Sequence, residues 1–419
     1  MAGDILTVWL HGRELGELEQ LRNGRLRLRF TGESLRRYGI GAPALSLSLP
    51  VTPKRVEGPN LERFLDNLLP ESQVRGALER QYSLSPGDTF GLLKVVGREC
   101  AGAIQLTPVG HSPGTGYLRE LTAAEANAIV RDLPTLDPPD GLTVGASLGG
   151  VQAKVLLSRI DGAWAWPADG AMSTHLIKPE PSADVVVPGL VRHEEWAMRL
   201  AAHAGLPAAT VSLADFDGRL AIVVERYDRN QGVRTHQEDF AQALGIAARD
   251  KYESSVAGTG RLGEIATRAA AESTDPDEFR RMLLRIVAFN TIIGNGDAHS
   301  KNYSLHISPE ATFSLAPIYD AAPVFLLNPS LHHAGHAVAG QVNLRHITAG
   351  HLVAEAESWG VDPRDAHDVV LTVCAAVQDA VGRTEADAVT SKVADLVRER
   401  ASVFEESLRG SPRQRADAG

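Results

Sequence analysis

The chain has 419 residues, 43% hydrophobic and 22% charged, a balance that suits a globular protein with two or three cores. No apolar run approaches the roughly 20 residues of a membrane span, and Met1-Ala2-Gly3-Asp4-Ile5 lacks the basic start and apolar core expected of a signal peptide. With 42 basic against 52 acidic side chains the net charge is -10, which argues against broad sequence-independent nucleic-acid binding, and two cysteines, Cys100 and Cys374, point away from a disulfide framework and toward a reducing cytoplasm.

In chain order, Ile5 to Leu10 and Arg25 to Phe30 carry strand character, with Asn23-Gly24 between them as a hairpin signal, and Ala44 to Leu49 alternates in the same way. Asn60 is expected to cap a helix over Leu61 to Leu69, Cys100 to Val109 returns as a strand, and Gly110 to Gly116 is a linker. Thr122-Ala123-Ala124-Glu125 is a capping box that opens a helix to about Leu133, followed by a break over Pro134 to Gly141. Strands are then expected over Val151 to Arg159 and Ser173 to Lys178, separated by a Gly- and Trp-bearing turn. A helix over Leu190 to Ala204 and a strand over Arg219 to Glu225 follow. From His236 onward the pattern is predominantly helical, ending in a charged amphipathic helix from about Thr384 to Leu408 and a disordered tail. The expected units are a β-rich subdomain over 1–110, a small lobe over 117–230, a helical large lobe over 231–408 and the tail 409–419.

Chemistry is concentrated in Gly294-Asn295-Gly296-Asp297-Ala298-His299-Ser300-Lys301-Asn302 and the later Ile318-Tyr319-Asp320. Gly-Asn-Gly-Asp alone fits an ordinary turn. The apolar run Ile286 to Ile293 that delivers it, and the Asn and second Asp that follow, fit phosphoryl transfer instead. One carboxylate orients and deprotonates an attacking hydroxyl, while an amide and a second carboxylate hold Mg²⁺ against phosphates. In the small lobe, Gly145 to Lys154 supplies glycines, a hydroxyl and a lysine for a phosphate-covering loop, and Lys178 ends an apolar strand where a phosphate-neutralising lysine belongs. Glu194 is placed to pair with Lys178, although spacing does not say whether Glu194 or Glu195 faces inward. The fold class expected is α+β, a two-lobed protein-kinase-like fold with an N-terminal β-rich subdomain and a mostly helical C-terminal lobe.

Several segments together resemble the HipA-like serine/threonine kinase toxins of bacterial type II toxin–antitoxin modules. They are Leu45 to Pro50, Phe64 to Pro70, Gly102-Ala103, Ser147 to Lys154, Thr174 to Lys178, Val224 to Arg229, His236 to Phe240, Asp297 to Asn302 and Tyr319-Asp320, in order from near residue 5 to about 330. The resemblance implies Asp297 as catalytic aspartate, Asn302 and Asp320 as Mg²⁺ ligands, and Lys178 as the ATP-phosphate lysine. It further implies Glu225-Arg226-Tyr227 as the hinge whose backbone meets adenine, Lys154 in the flexible phosphate loop, and Ser147 as a self-phosphorylated serine. Glu194 and His299 are supporting residues. The substrate implied is a protein, typically glutamate–tRNA ligase, and the partner a small helix-turn-helix antitoxin similar to HipB, through which DNA contact would mainly run. A phosphate on Ser147 would repel ATP phosphates.

Two other classes stay open: a small-molecule kinase of the aminoglycoside or choline type, and a silent co-repressor. The arginines from Arg22 to Arg37 form a local basic region, read here as a solvated sheet face. His332-His333-Ala334-Gly335-His336 is read as a polar loop rather than a metal site. Trp9, Trp164, Trp166, Trp196 and Trp359 are dispersed, which suits cores rather than a base-stacking platform.

Overall fold

The structure is a computed structural model that describes residues 4–133, 152–181, 187–254 and 260–410. It resolves into two compact units, one of Met1–Glu180, Ser212–Arg249 and Leu305–Thr312, the other of Pro181–Val211, Asp250–Ser304 and Phe313–Gly419. Antiparallel sheets dominate the first and helices the second, so the α+β class holds. The break over Pro134 to Gly141, the loop around Ser147 and the tail after 410 lie outside the described residues.

The first unit opens with a five-stranded sheet of β1 (Ile5–Leu10), β2 (Arg13–Gln20), β3 (Leu26–Phe30), β4 (Val56–Glu57) and β5 (Ile104–Pro108), in the order β4-β3-β2-β1-β5. Leu26, Leu28 and Phe30 of β3 are buried, while Arg27 and Arg29 face Glu19 and Glu17 across the register. Arg27 also reaches Glu57 at 2.7 Å and Arg25 reaches it at 3.1 Å, so these arginines form a solvated, cross-strand-paired face. The expected hairpin at Asn23-Gly24 exists but joins β2 to β3, not β1 to β3. β2 escapes a hydrophobicity reading because its two leucines, Leu15 and Leu18, stand three apart across a β-bulge, among charged residues.

Two further expectations are corrected here. Ala44 to Leu49 is not a strand, because its backbone is served by side chains. Glu238 Oε1 accepts from Leu47 N at 2.9 Å, and His236 Nε2 lies 2.9 Å from the Leu45 carbonyl oxygen. Asn60 is not a helix cap: the helix is Pro59–Asn67, and Gly58 stands at its start with φ 99° and no side-chain cap.

A second sheet holds β6 (Tyr117–Glu120), β7 (Val155–Ile160), β8 (Ala163–Ala168), β9 (His175–Pro179), β10 (Val211–Phe216) and β11 (Arg219–Glu225), in the order β10-β11-β9-β7-β8-β6. The stretch read as a Trp-bearing turn is in fact β8, flanked by turns at Asp161-Gly162 and Asp169-Gly170, all four residues with positive φ. β9 lies between β11 and β7 and is buried at Ile177 and Lys178. The capping box at Thr122 and Glu125 forms as expected and opens the helix Ala123–Arg131.

In the second unit the helix Pro276–Ile293 is capped by Asp275, whose side chain accepts from Glu278 N, and everything from Ile286 to Ile293 is buried. A helix apolar on all sides belongs inside a bundle. Pro363–Arg383 packs on it, and also on Leu190–His203, Ala349–Ser358 and Ser391–Arg409. The last helix starts at Ser391 rather than near Thr384, because Thr384 closes the preceding helix and Asp387 binds Thr390 N and Oγ1 at 2.9 Å each. His333–Val338 is a strand, not a polar loop, with His336 buried 3.6 Å from Glu253.

Candidate active site

The buried helix Pro276–Ile293 ends at Gly294, whose left-handed φ of 72° turns the chain and lets its N–H bond the Asn290 and Thr291 carbonyls. Two buried amides then shape the loop. Asn290 Oδ1 accepts from Asn295 Nδ2 at 2.8 Å, and Asn295 Oδ1 accepts from Asp297 N at 3.1 Å. Asn302 closes it, donating from Nδ2 to the Asp297 carbonyl at 2.8 Å. That bond commits the amide nitrogen of Asn302.

Asp320 arrives by a separate tether. Ile318 exchanges backbone bonds with Pro207 and Ala209, at 2.8 and 2.9 Å, and the Tyr319 hydroxyl donates to the Lys301 carbonyl at 2.8 Å. The residue beside Asn302 is thus tied to the residue beside Asp320. Asp320 itself has φ 55°, a left-handed conformation uncommon outside glycine, of the kind that collects at functional sites.

His299 is buried, and burial pulls its pKa down to about 3, with Lys251 adding to the shift and Asp320 opposing it. It is therefore neutral at physiological pH. Lys301 N donates to Nδ1 at 3.3 Å, which puts the ring proton on Nε2, the nitrogen 3.7 Å from Asp297 Oδ1. Asp297 remains half exposed. Sequence reasoning missed Tyr252, whose hydroxyl donates to Asp297 Oδ1. Nothing in the local sequence marks it.

The first unit carries the other candidates. Lys178 is 4% exposed on β9, opposite Ile222 of β11, and Lys154 lies half-buried just before β7. At the end of β11, Glu225 is exposed and pairs with His175, while Arg226 N donates to the Thr174 carbonyl at 2.9 Å. The Arg226 side chain turns into a buried network with Glu99 at 2.9 Å and Asp228 at 2.8 Å, joined by Arg229 and Arg234. Tyr227 is half-buried, its hydroxyl on Gln237 and its ring 5.4 Å from His306. In the second unit, Glu194 is 2% exposed, whereas Glu195 pairs with Arg199 at 2.8 Å. Ser147 lies outside the described residues. Among the described residues no cluster of three or more His, Cys, Asp or Glu is arranged to hold a metal by itself. One amide and one carboxylate instead suit Mg²⁺, which completes its shell with phosphates and water.

Residues 146–381 match the HipA-like C-terminal domain family and residues 6–107 the HipA N-terminal domain family. A putative kinase of Sinorhizobium fredii, Y4mE, is 37% identical over 331 residues, 75% of this chain and 76% of its own length. The serine/threonine-protein kinase toxin HipA of Shewanella oneidensis is 32% identical over 323 residues, 73% of this chain and 72% of its own. Among solved structures, the Shewanella oneidensis HipA, HipB and operator DNA complex contains a chain that superposes with a TM-score of 0.81 at 26% identity, covering 97% of this chain and 99% of that one. Fold and matches together define a kinase. More narrowly, the chain belongs to the HipA-like serine/threonine kinase toxin family, as the sequence resemblance had implied.

Proposed function

We propose that the protein transfers the γ-phosphoryl group of ATP to a serine or threonine hydroxyl of a protein, with Asp297 as the residue that receives the acceptor's proton. The carrying observation is the pair of tethers in one unit, Asn302 Nδ2 to the Asp297 carbonyl and the Tyr319 hydroxyl to the Lys301 carbonyl. They support reading Asp297, Asn302 and Asp320 as one working group. Bound Mg²⁺ would neutralise phosphate charge and align the transferred group. Asn302 Oδ1 and the Asp320 carboxylate would hold it, and Lys178 would bind phosphate oxygens. Asp297 orients the acceptor hydroxyl and accepts its proton as the oxygen bonds to phosphorus and the bond to the departing ADP oxygen breaks.

Glu225 and Tyr227 are the hinge positions for adenine contact. Arg226 serves the hinge through its buried side chain, since its N–H is already given to Thr174. Glu194, buried where Glu195 is not, is the partner proposed for Lys178. Ser147 is the self-phosphorylation site, and Lys154 belongs to the phosphate loop. We assign the substrate to the aminoacyl-tRNA synthetases, glutamate–tRNA ligase first, and the partner to a HipB-like helix-turn-helix antitoxin that carries the DNA contact, in keeping with the complex formed by the Shewanella oneidensis relative. A cytoplasmic setting agrees with Cys100 and Cys374 both being buried free thiols, and among the described residues no helix is long and apolar enough to cross a membrane.

The test is incubation of the protein with labelled ATP, Mg²⁺ and a cell extract, beside Asp297→Ala. Label on a protein that vanishes with Asp297→Ala supports the reading. Turnover of ATP on a metabolite with no labelled protein would move the chain to the small-molecule kinases, and equal labelling by the variant would remove Asp297 from the reaction.

A further inference from the structure

Tyr252 lies in a short segment far from the catalytic loop in sequence, yet its hydroxyl donates to Asp297 Oδ1. The ring stands edge-on to His299, centroids 4.9 Å apart at 89°, and also edge-on to His333 at 6.1 Å. His299 brings its Nε2 proton toward that same carboxylate oxygen from within the loop. The Tyr252 hydroxyl is thus the hydrogen-bond donor to Oδ1 of the one residue assigned to take the acceptor's proton, while His299 Nε2 stands 3.7 Å away, beyond hydrogen-bond reach.

The segment bearing the phenol is anchored on both sides of Tyr252. Before it, the Lys251 carbonyl accepts from Ser300 N at 3.1 Å and from Arg261 Nη1 at 2.9 Å. After it, Glu253 N donates to the Gly335 carbonyl at 3.0 Å, and the buried Glu253 carboxylate accepts from Arg261 N and Ala337 N at 3.1 Å each. The backbone on one side is thus bonded to the catalytic loop itself, and on the other to the strand that packs on that loop. Such a mount suits a group that must stay in register with Asp297, and suits poorly a group that must swing away.

We propose that Tyr252 is a positioning residue for phosphoryl transfer: its hydroxyl fixes the rotamer of Asp297 by holding Oδ1, so that the carboxylate meets the acceptor hydroxyl at the productive angle. The inference rests on the reading of Asp297 given above. The opposite role, a phenol that obstructs the acceptor's place, would use the same contact and differs in the sign of its effect on rate.

The experiment measures the initial rate of label transfer from ATP into the proteins of a cell extract, at fixed extract and varied Mg²⁺-ATP, for wild type, Asp297→Ala, Tyr252→Phe and Tyr252→Ala. Thermal melts of each variant run alongside. Removal of the hydroxyl alone is expected to lower kcat roughly 10- to 100-fold, the scale of a misoriented catalytic group. KM for Mg²⁺-ATP and the melting temperature are expected to stay put, and Tyr252→Ala to lose about as much as Tyr252→Phe. Wild-type rates in Tyr252→Phe with a loss confined to Tyr252→Ala would reduce the residue to packing and overturn the proposal. So would a faster Tyr252→Phe, which marks an obstruction, or a loss carried by KM. If wild type labels no more than Asp297→Ala, the kinase reading itself fails and the role of Tyr252 falls with it, a result distinct from a normal wild type beside an unaffected Tyr252→Phe.

Discussion

Replacing Glu99 by alanine tests the buried charge network behind the proposed hinge. Glu99 Oε1 accepts from Arg226 Nη1 at 2.9 Å, Arg229 Nη2 at 3.1 Å and Ser173 Oγ at 2.9 Å, and Oε2 accepts from Arg234. Burial alone would raise its pKa, but Arg229, Arg226 and Arg234 outweigh burial and hold the carboxyl below the usual range. Its deletion leaves Arg226 and Arg229 with Asp228 as their carboxylate and takes the carboxylate from Arg234, and breaking a buried ion pair in this way costs about 3–5 kcal/mol. At 1.36 kcal/mol per tenfold, that is a loss of at least roughly 100-fold in amide protection, if opening of the hinge segment exposes the network. Hydrogen exchange read by mass spectrometry over the segment holding Arg226 and Arg229, whose amides donate to Thr174 and Arg226, measures it locally. A depressed folded-state pKa gives stabilisation that is complete above the ordinary carboxylate range and fades as pH falls through the depressed value. The difference between wild type and variant is therefore flat through neutral pH and shrinks only in strong acid. A loss below about threefold, or a difference that already varies near neutrality, would refute the account, since ~0.6 kcal/mol is what an exposed pair contributes.

Further outcomes are expected at four positions. A Cβ at Gly335 would run into the Ala298 carbonyl and His299 N, so Gly335→Ala should displace the catalytic loop and lower label transfer roughly 100-fold or more, measured beside a near-normal circular dichroism spectrum. Asp320→Asn keeps a residue that tolerates φ 55° but removes the charge, so calorimetry should show weaker Mg²⁺-ATP binding with little change in melting temperature; unchanged affinity would count against the metal role. Ser147→Ala should abolish self-phosphorylation, and a mass spectrum still carrying one phosphate elsewhere would refute that site. Gly294→Ala puts a Cβ into a left-handed helix end, for a loss of about 1 kcal/mol or more in stability by urea titration.

The loop from Gly294 to Asn302 was legible because its logic is local. An apolar helix, a glycine that ends it, and Asn and Asp in turn positions are all neighbours in the chain. The place of Lys178 on an apolar strand was equally readable. β2 and β8 were not, since a β-bulge breaks the period of the first, whose charges pair with β3, and the other hides two tryptophans between turn residues. Ala44 to Leu49 is the converse case: it has the alternation of a strand, but its backbone is bonded by the side chains of His236 and Glu238 rather than by a neighbouring strand. The segments that carry the family resemblance end near residue 330, whereas the matched domain runs to 381 through helices whose patterning is generic. Tyr252 stayed invisible because its partner stands 45 residues away and no spacing rule connects them.

The contrast between the local and non-local parts of the site explains how its strain is tolerated. Gly294 at φ 72° and Asp320 at φ 55° are the two left-handed residues that bracket the loop and its second carboxylate. Glycine adopts that conformation without steric cost, but for an L-side chain it costs on the order of 1 kcal/mol. Local preference therefore does not keep Asp320 in place. The Tyr319 hydroxyl, fixed on the Lys301 carbonyl, and the bonds of Ile318 to residues 207 and 209 hold it from two directions. Residues that orient a carboxylate against its own backbone preference must be anchored elsewhere, and here the anchors are backbone carbonyls that substitution at their own positions leaves intact. The anchor is lost when the Tyr319 hydroxyl is removed, so Tyr319→Phe should loosen Asp320, seen as weaker Mg²⁺-ATP binding by calorimetry; unchanged affinity would refute the tether.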